Sequence, residues 1–158
     1  MNEPLRILVA LDGSPGAESI IAALMPHLMI APILLPLVTA SLLLFVGERK
    51  HRTKASISLG ATLLNLVVAV ALLVWSKKSD GPSAFGVYLP SNWDVPYGIV
   101  LVLDRLSGLM LLLAGIVALM ALLFALARWH KAGAHFHPLF QIQIMGLNGA
   151  FLTGDLFN

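Results

Sequence analysis

The chain has 158 residues, 58% of them hydrophobic and only 11% charged, with a mean hydropathy of +0.88. About a quarter of the residues in a soluble domain are charged, so too few groups are present here to solvate a globular surface, and lipid or partner helices must meet the excess. The net charge of +2 rests on ten Lys and Arg, which suit a topology signal better than a nucleic-acid patch, and the lack of cysteine excludes disulfides and thiolate metal sites.

The chain opens on RILVALDGSPGAES, residues 6–19, an apolar run followed by an Asp-Gly turn and a polar entry into a helix. Soluble nucleotide-binding domains often begin this way. The next stretch is of another kind: residues 27–47 and 55–75 are two runs of 21 residues without Lys, Arg, Asp or Glu. Each is about 31 Å long as a helix, which matches a hydrocarbon core of about 30 Å, and both are predicted spans. Pro32 and Pro36 fall inside the first, where transmembrane helices tolerate them. Arg49, Lys50, Arg52 and Lys54 cluster in a loop between the two.

Residues 76–105 are rich in Gly, Pro, Asn and Asp, with FGVYLP and YGIVLVLD flanking SNWDVP. Short strand-like runs around a turn predict a small β-hairpin at the membrane surface, where Tyr88, Trp93 and Tyr97 would form an interfacial belt. Residues 106–127 are a third uncharged run, of 22 residues. His130, His135 and His137 come next, in ARWHKAGAHFHP, read as a solvated loop because no Cys or nearby carboxylate completes a metal site. A fourth span is expected over about 139–154. The fold class is therefore all-α, an incomplete polytopic transmembrane bundle of about four spans with a hairpin in the 76–105 loop.

The fourth span carries the polar groups. Gln141, Asn148 and Asp155 are spaced by seven, so on a helix they drift only about 20° per step and form one stripe. Facing a hydrated interior, such a stripe marks an ion path, and the three residues are its candidates. The plainer alternative is interhelical hydrogen-bond glue, with Asp155 the N-cap of a further helix after a stop at Gly154. Gly146, Ala150 and Gly154 recur every four residues on another face and are the helix-packing candidates. No catalytic, cofactor-binding or metal-binding residue is expected. Loops 48–54 and 128–138 hold six Lys and Arg against four elsewhere, which places them in the cytoplasm and the hairpin and N-terminus outside.

Three segments, PHLMIAPILLPLVTASLLLF, VLDRLSGLMLLLAGIVALMALLFA and above all FQIQIMGLNGAFLTGDLFN, carry a resemblance. Residues 25–158 resemble the N-terminal part of the D subunit of multisubunit monovalent cation/proton antiporters (Mrp/Mnh/Pha type), which are similar to the antiporter-like subunits of respiratory complex I. The resemblance implies a membrane-embedded secondary transporter rather than an enzyme. Its cargo would be sodium or potassium exchanged for protons, and its partners the other subunits and the lipid of a bacterial inner membrane. In that family the coupling Glu and Lys lie beyond the stretch matched here, so the fragment is expected to be inactive alone. Loss of the next helix would expose the small-residue and polar faces of the fourth span.

Residues 1–24 depart from that pattern and resemble the opening of universal stress proteins, with Asp12 at the position that lies near the adenine of bound ATP. The Gly-rich phosphate segment is absent, so no nucleotide is expected, and Met25 is read as the natural start behind a fused or misread leader. Alternatives are a proton-pumping subunit of a complex I or hydrogenase-type assembly, a non-transporting membrane scaffold, and a soluble stress-type nucleotide binder. Membrane fractionation separates the last: the chain is expected in the pellet and released only by detergent, and a detergent-free soluble chain retaining ATP overturns the membrane reading.

Overall fold

The computed structural model describes residues 27–47, 50–78, 86–88, 100–128, 133 and 135–154. Among the described residues four complete helices come in succession: α1 (Ala31–Phe45), α2 (His51–Lys78), α3 (Arg105–Arg128) and α4 (Phe136–Leu152). Strands β1 (Gly86–Tyr88) and β2 (Leu101–Leu103) lie between α2 and α3. Among the described residues two segments, His51–Ser76 and Arg105–Arg128, are long and apolar enough to cross a membrane. The 15 residues of α1 and 17 of α4 reach only about 22 and 25 Å, short of a core of about 30 Å.

Helix ends differ from the uncharged runs because charge alone does not stop a helix. Helix α2 begins at His51, so Arg52 and Lys54 ride on its first turn instead of in a loop, and α4 begins at Phe136. Pro138 then sits in the first turn of α4, where the N–H it lacks would have no intrahelical partner.

The helices alternate in direction and pack mainly as two pairs, α1 with α4 and α2 with α3, while α2 and α4 touch more sparsely. Glycine makes the second pair close. A Cβ on Gly108 would lie 3.1 Å from Leu73 Cδ1, and one on Gly115 2.9 Å from Leu66 Cδ1. Large apolar side chains face outwards on every helix, among them Val38, Leu44, Val67, Val117, Phe124 and Leu139. Such a surface is unstable in water and matched to lipid or further helices.

The interior is divided along its length. Toward the hairpin it is mainly apolar, with Met29, Ala69, Leu72, Leu101, Leu103, Leu111 and Leu152 in one cluster and Asn148 and Ser76 as buried polar neighbours. Toward the α1–α2 turn it is polar: Lys54, Ser58, Thr62, Asn65, His137 and Gln141 are all buried.

The hairpin expected in the 76–105 loop is present as a short antiparallel pair, Gly86 opposite Leu103, Val87 opposite Val102 and Tyr88 opposite Leu101. Trp93 and Tyr97 lie outside the described residues. On its other edge β2 meets the exit of α4: Leu101 bridges to Thr153, and the Gly154 N–H donates to the Val100 carbonyl at 2.9 Å. The helix expected to stop at Gly154 ends at Leu152, and Thr153 is extended, with ψ of 121°. Gly154 is needed for close approach, because a Cβ there would overlap Val102 Cγ2.

Asp104 caps α3. Its Oδ1 accepts the Ser107 N–H and its carbonyl the Gly108 N–H at 3.0 Å. The Ser107 side chain and N–H hold the carboxyl below its usual range. Asp104→Ala should therefore cost about 1 kcal/mol in thermal unfolding at neutral pH. Because the folded pKa is the lower one, that contribution is present above the ordinary carboxylate pKa and lost as acid titrates the folded group; the two proteins should converge in stability there. Gly115→Leu should destabilise by about 1–3 kcal/mol through overpacking against Leu66.

Candidate functional site: a buried polar seam

Lys54, Ser58, Thr62 and Asn65 are spaced by four, four and three, so they stand on one face of α2. That face is turned inwards, and none of the four is more than 4% exposed. His137 and Gln141, one turn apart on α4, are buried on the facing side at 2% and 1%. Together the six form a polar seam between α2 and α4.

Gln141 ties the seam together. Its Nε2 donates toward the Ser58 carbonyl at 3.1 Å, Ser58 Oγ at 3.0 Å and Thr62 Oγ1 at 3.2 Å. Two amide hydrogens serve three acceptors, so one is shared. The Thr62 hydroxyl donates to the same Ser58 carbonyl at 2.8 Å, leaving its oxygen free to accept from Gln141. A carbonyl can only accept, which fixes the amide nitrogen toward α2. One turn further along, Asn65 Oδ1 is buried and has no hydrogen-bond partner among the described residues.

Asn148 acts on α1. Pro36 lies inside that helix and has no N–H, so the carbonyl of Pro32, four residues earlier, loses its helical donor. Asn148 Nδ2 replaces it, donating to the Pro32 carbonyl at 2.8 Å. The side chain is 1% exposed.

Gln141 and Asn148 thus share the buried face of α4 that their spacing predicted. Both bind neighbouring helices, and the polar face expected to be left exposed is buried. Asp155 lies outside the described residues. Gly146 and Ala150 face outwards, and a Cβ on Gly146 would meet nothing within 4 Å; of the three small residues, Gly154 alone makes a close approach, and it does so to β2. Two basic residues are placed differently from the sequence-based expectation. Lys54 is 2% exposed on α2, and His137 is the second residue of α4, buried, with its ring edge-on to Phe136 at 5.2 Å. His135 is exposed, and His130 lies outside the described residues. The half of the seam on α2 is not among the sequence-based candidates, although its spacing is visible in the sequence.

Over 133 residues, 84% of its length, the chain is 50% identical to a protein of Rhizobium meliloti (strain 1021) named as the D subunit of a probable K(+)/H(+) antiporter. The chain is homologous to antiporter D subunits over most of its length. A second relative, the D subunit of the Na(+)/H(+) antiporter of Alkalihalophilus pseudofirmus, is 33% identical over 136 residues, 85% of this chain. The fold agrees: a chain from the structure of the Mrp complex of Dietzia sp. DQ12-45-1b superposes with a TM-score of 0.75 at 30% identity, covering 85% of this chain. No family model matches. The homology spans about a quarter of each relative's own length, 25% and 27% of the two D subunits and 24% of the Mrp-complex chain.

The Asn148–Pro32 pair is open to a double-mutant cycle. Asn148→Leu should destabilise the chain by about 1–2 kcal/mol in mixed-micelle unfolding, because it strands a buried carbonyl. In a Pro36→Ala background the helical N–H returns, and the penalty for Asn148→Leu should fall by at least half. Equal penalties in both backgrounds would show that Asn148 does not serve that carbonyl.

Proposed function

We propose that this chain forms part of the membrane domain of a multisubunit monovalent cation/proton antiporter, exchanging sodium or potassium for protons. The observation that carries this reading is the 50% identity, over 133 residues, to a relative named as the D subunit of a K(+)/H(+) antiporter. The apolar outer surface and the two spanning helices support a multi-pass place in a bacterial inner membrane. The basic residues at the α1–α2 and α3–α4 connections support a cytoplasmic position for that end.

Within the complex the four helices serve as scaffold. None of α1 to α4 contains an Asp or Glu; the ionisable groups buried between them are Lys54 and His137. Transport is assigned to the assembled complex, and this stretch of chain alone is expected to be inactive. Gln141 and Asn148 hold α4 against α2 and α1, and so position whatever packs on the outer face of α4. Asp155 stays a candidate for the ion path.

The test is to express the complete subunit with its neighbours in antiporter-deficient cells and follow sodium- and potassium-dependent proton movement in everted vesicles. Cation-dependent dissipation of the pH gradient is expected, and its absence for both cations in an assembled complex defeats the antiporter reading. Gln141→Leu should lower the amount of assembled complex and its maximal rate in proportion, with the apparent KM for cation unchanged. A shifted KM at normal assembly would instead put Gln141 on the ion path.

A further inference from the structure

The polar end of the bundle gathers cations from two connections distant in sequence. Gly108 lies against Leu73 and Gly115 against Leu66, so α2 and α3 run antiparallel in one-for-one register. Continued to the end of α3, this register brings Arg128 level with Arg52 and Thr53. Helix α4 runs parallel to α2 with Gln141 beside Ser58 and Thr62, which brings His135 to the level of Arg52 and Lys54. Arg52, Arg128, His135 and Lys50 are exposed. Across residues 46–54 and 126–138 the sequence has six Lys and Arg against a single carboxylate, Glu48. The N-terminus of the 28-residue α2 adds its positive potential to the same layer.

Two further features place this layer at a lipid headgroup. Phe45, the last residue of α1, is 89% exposed, and its wholly apolar ring belongs with the acyl chains, which leaves Lys50 and Arg52, a few residues on, at headgroup level. Helix α1 is also short, about 22 Å for its 15 residues, so the bilayer thins around it and its surface comes closer to both helix ends, one of which is the α1–α2 turn with Lys50 and Arg52. Guanidinium groups on adjacent helices present paired donors that fit phosphodiester oxygens.

We propose that the layer formed by Lys50, Arg52, Arg128 and His135, with Phe45 beneath it, binds the headgroup of an acidic phospholipid such as phosphatidylglycerol. A topology signal requires only positive charge, whereas this arrangement retains one class of lipid at the α1–α2 and α3–α4 connections. The proposal rests on the membrane placement of the chain and is independent of what the complex transports.

The test uses the full chain in phosphatidylcholine nanodiscs and measures association of spin-labelled phosphatidylglycerol against spin-labelled phosphatidylcholine. The unaltered chain should prefer phosphatidylglycerol. A cation near an anionic headgroup contributes about 1 kcal/mol, about fivefold, so Arg52→Gln with Arg128→Gln should lower the preference by up to about thirty-fold, toward that of phosphatidylcholine. The double Arg→Lys variant should keep most of the preference, and Arg105→Gln, at the opposite end, should keep all of it. Equal association of the two lipids with the unaltered chain overturns the proposal, as does an undiminished preference in the double Gln variant. Displacement by inorganic phosphate, but not by chloride at equal ionic strength, would show a free-anion site and overturn it as well.

Discussion

A carbonyl in the hydrocarbon region of a bilayer must find a donor within the protein, because no water is there to supply one. Pro36 breaks that requirement inside α1 by withholding its N–H from Pro32, and Asn148 restores it from α4 at 2.8 Å. The pairing of α1 with α4, as extensive as that of α2 with α3, contains this bond. A proline that would be a fault in an isolated helix becomes an address that only the correctly placed partner can answer. Helices that associate in lipid lack the hydrophobic drive available in water and depend on close packing and such directional contacts. The glycines of α3 supply the packing against α2, and Asn148 and Gln141 supply the contacts made by α4.

This division also explains why the interior has two characters. Near the hairpin, where α2, α3, α4 and β2 converge, leucines fill most of the space, and two single hydrogen bonds, Asn148 to the Pro32 carbonyl and Gly154 to the Val100 carbonyl, fix position. Helix α4 meets α2 only sparsely, and toward the basic end hydroxyl, amide, imidazole and ammonium groups line that interface. Buried Lys54 and His137 close the seam at the end that also carries the exposed arginines.

Much of the fold is legible in the sequence because lipid imposes simple demands. Uncharged runs of spanning length locate α2 and α3, and the turn-rich 76–105 stretch locates the hairpin. Helix ends are less legible, since Arg52 and Lys54 lie outside the apolar run at 55–75 yet inside the helix. The seam is half legible: the seven-residue spacing of Gln141 and Asn148 marks the α4 face, while Lys54 reads as a loop cation and its three partners on α2 pass as ordinary small polar residues. The pairing of Asn148 with Pro32 is not legible, because the tertiary arrangement alone decides which helix covers the freed carbonyl. For the same reason Gly154 reads as a helix stop when its task is to let β2 pass.

Ser58, Thr62 and Asn65 stand about one helical turn apart, so α2 offers α4 a ladder of nearly equivalent rungs. A slip of α4 by one turn, about 5.4 Å, would carry Gln141 from Ser58 and Thr62 to Thr62 and Asn65, whose Oδ1 is an acceptor with no hydrogen-bond partner among the described residues. The ladder alone therefore cannot tell one setting from the next. The setting is chosen elsewhere, by the Pro32 carbonyl that accepts from Asn148 and by the Val100 carbonyl that accepts from Gly154. These two contacts act as index pins on a sliding scale, and the axial position of α4 is set by single atoms at its far end.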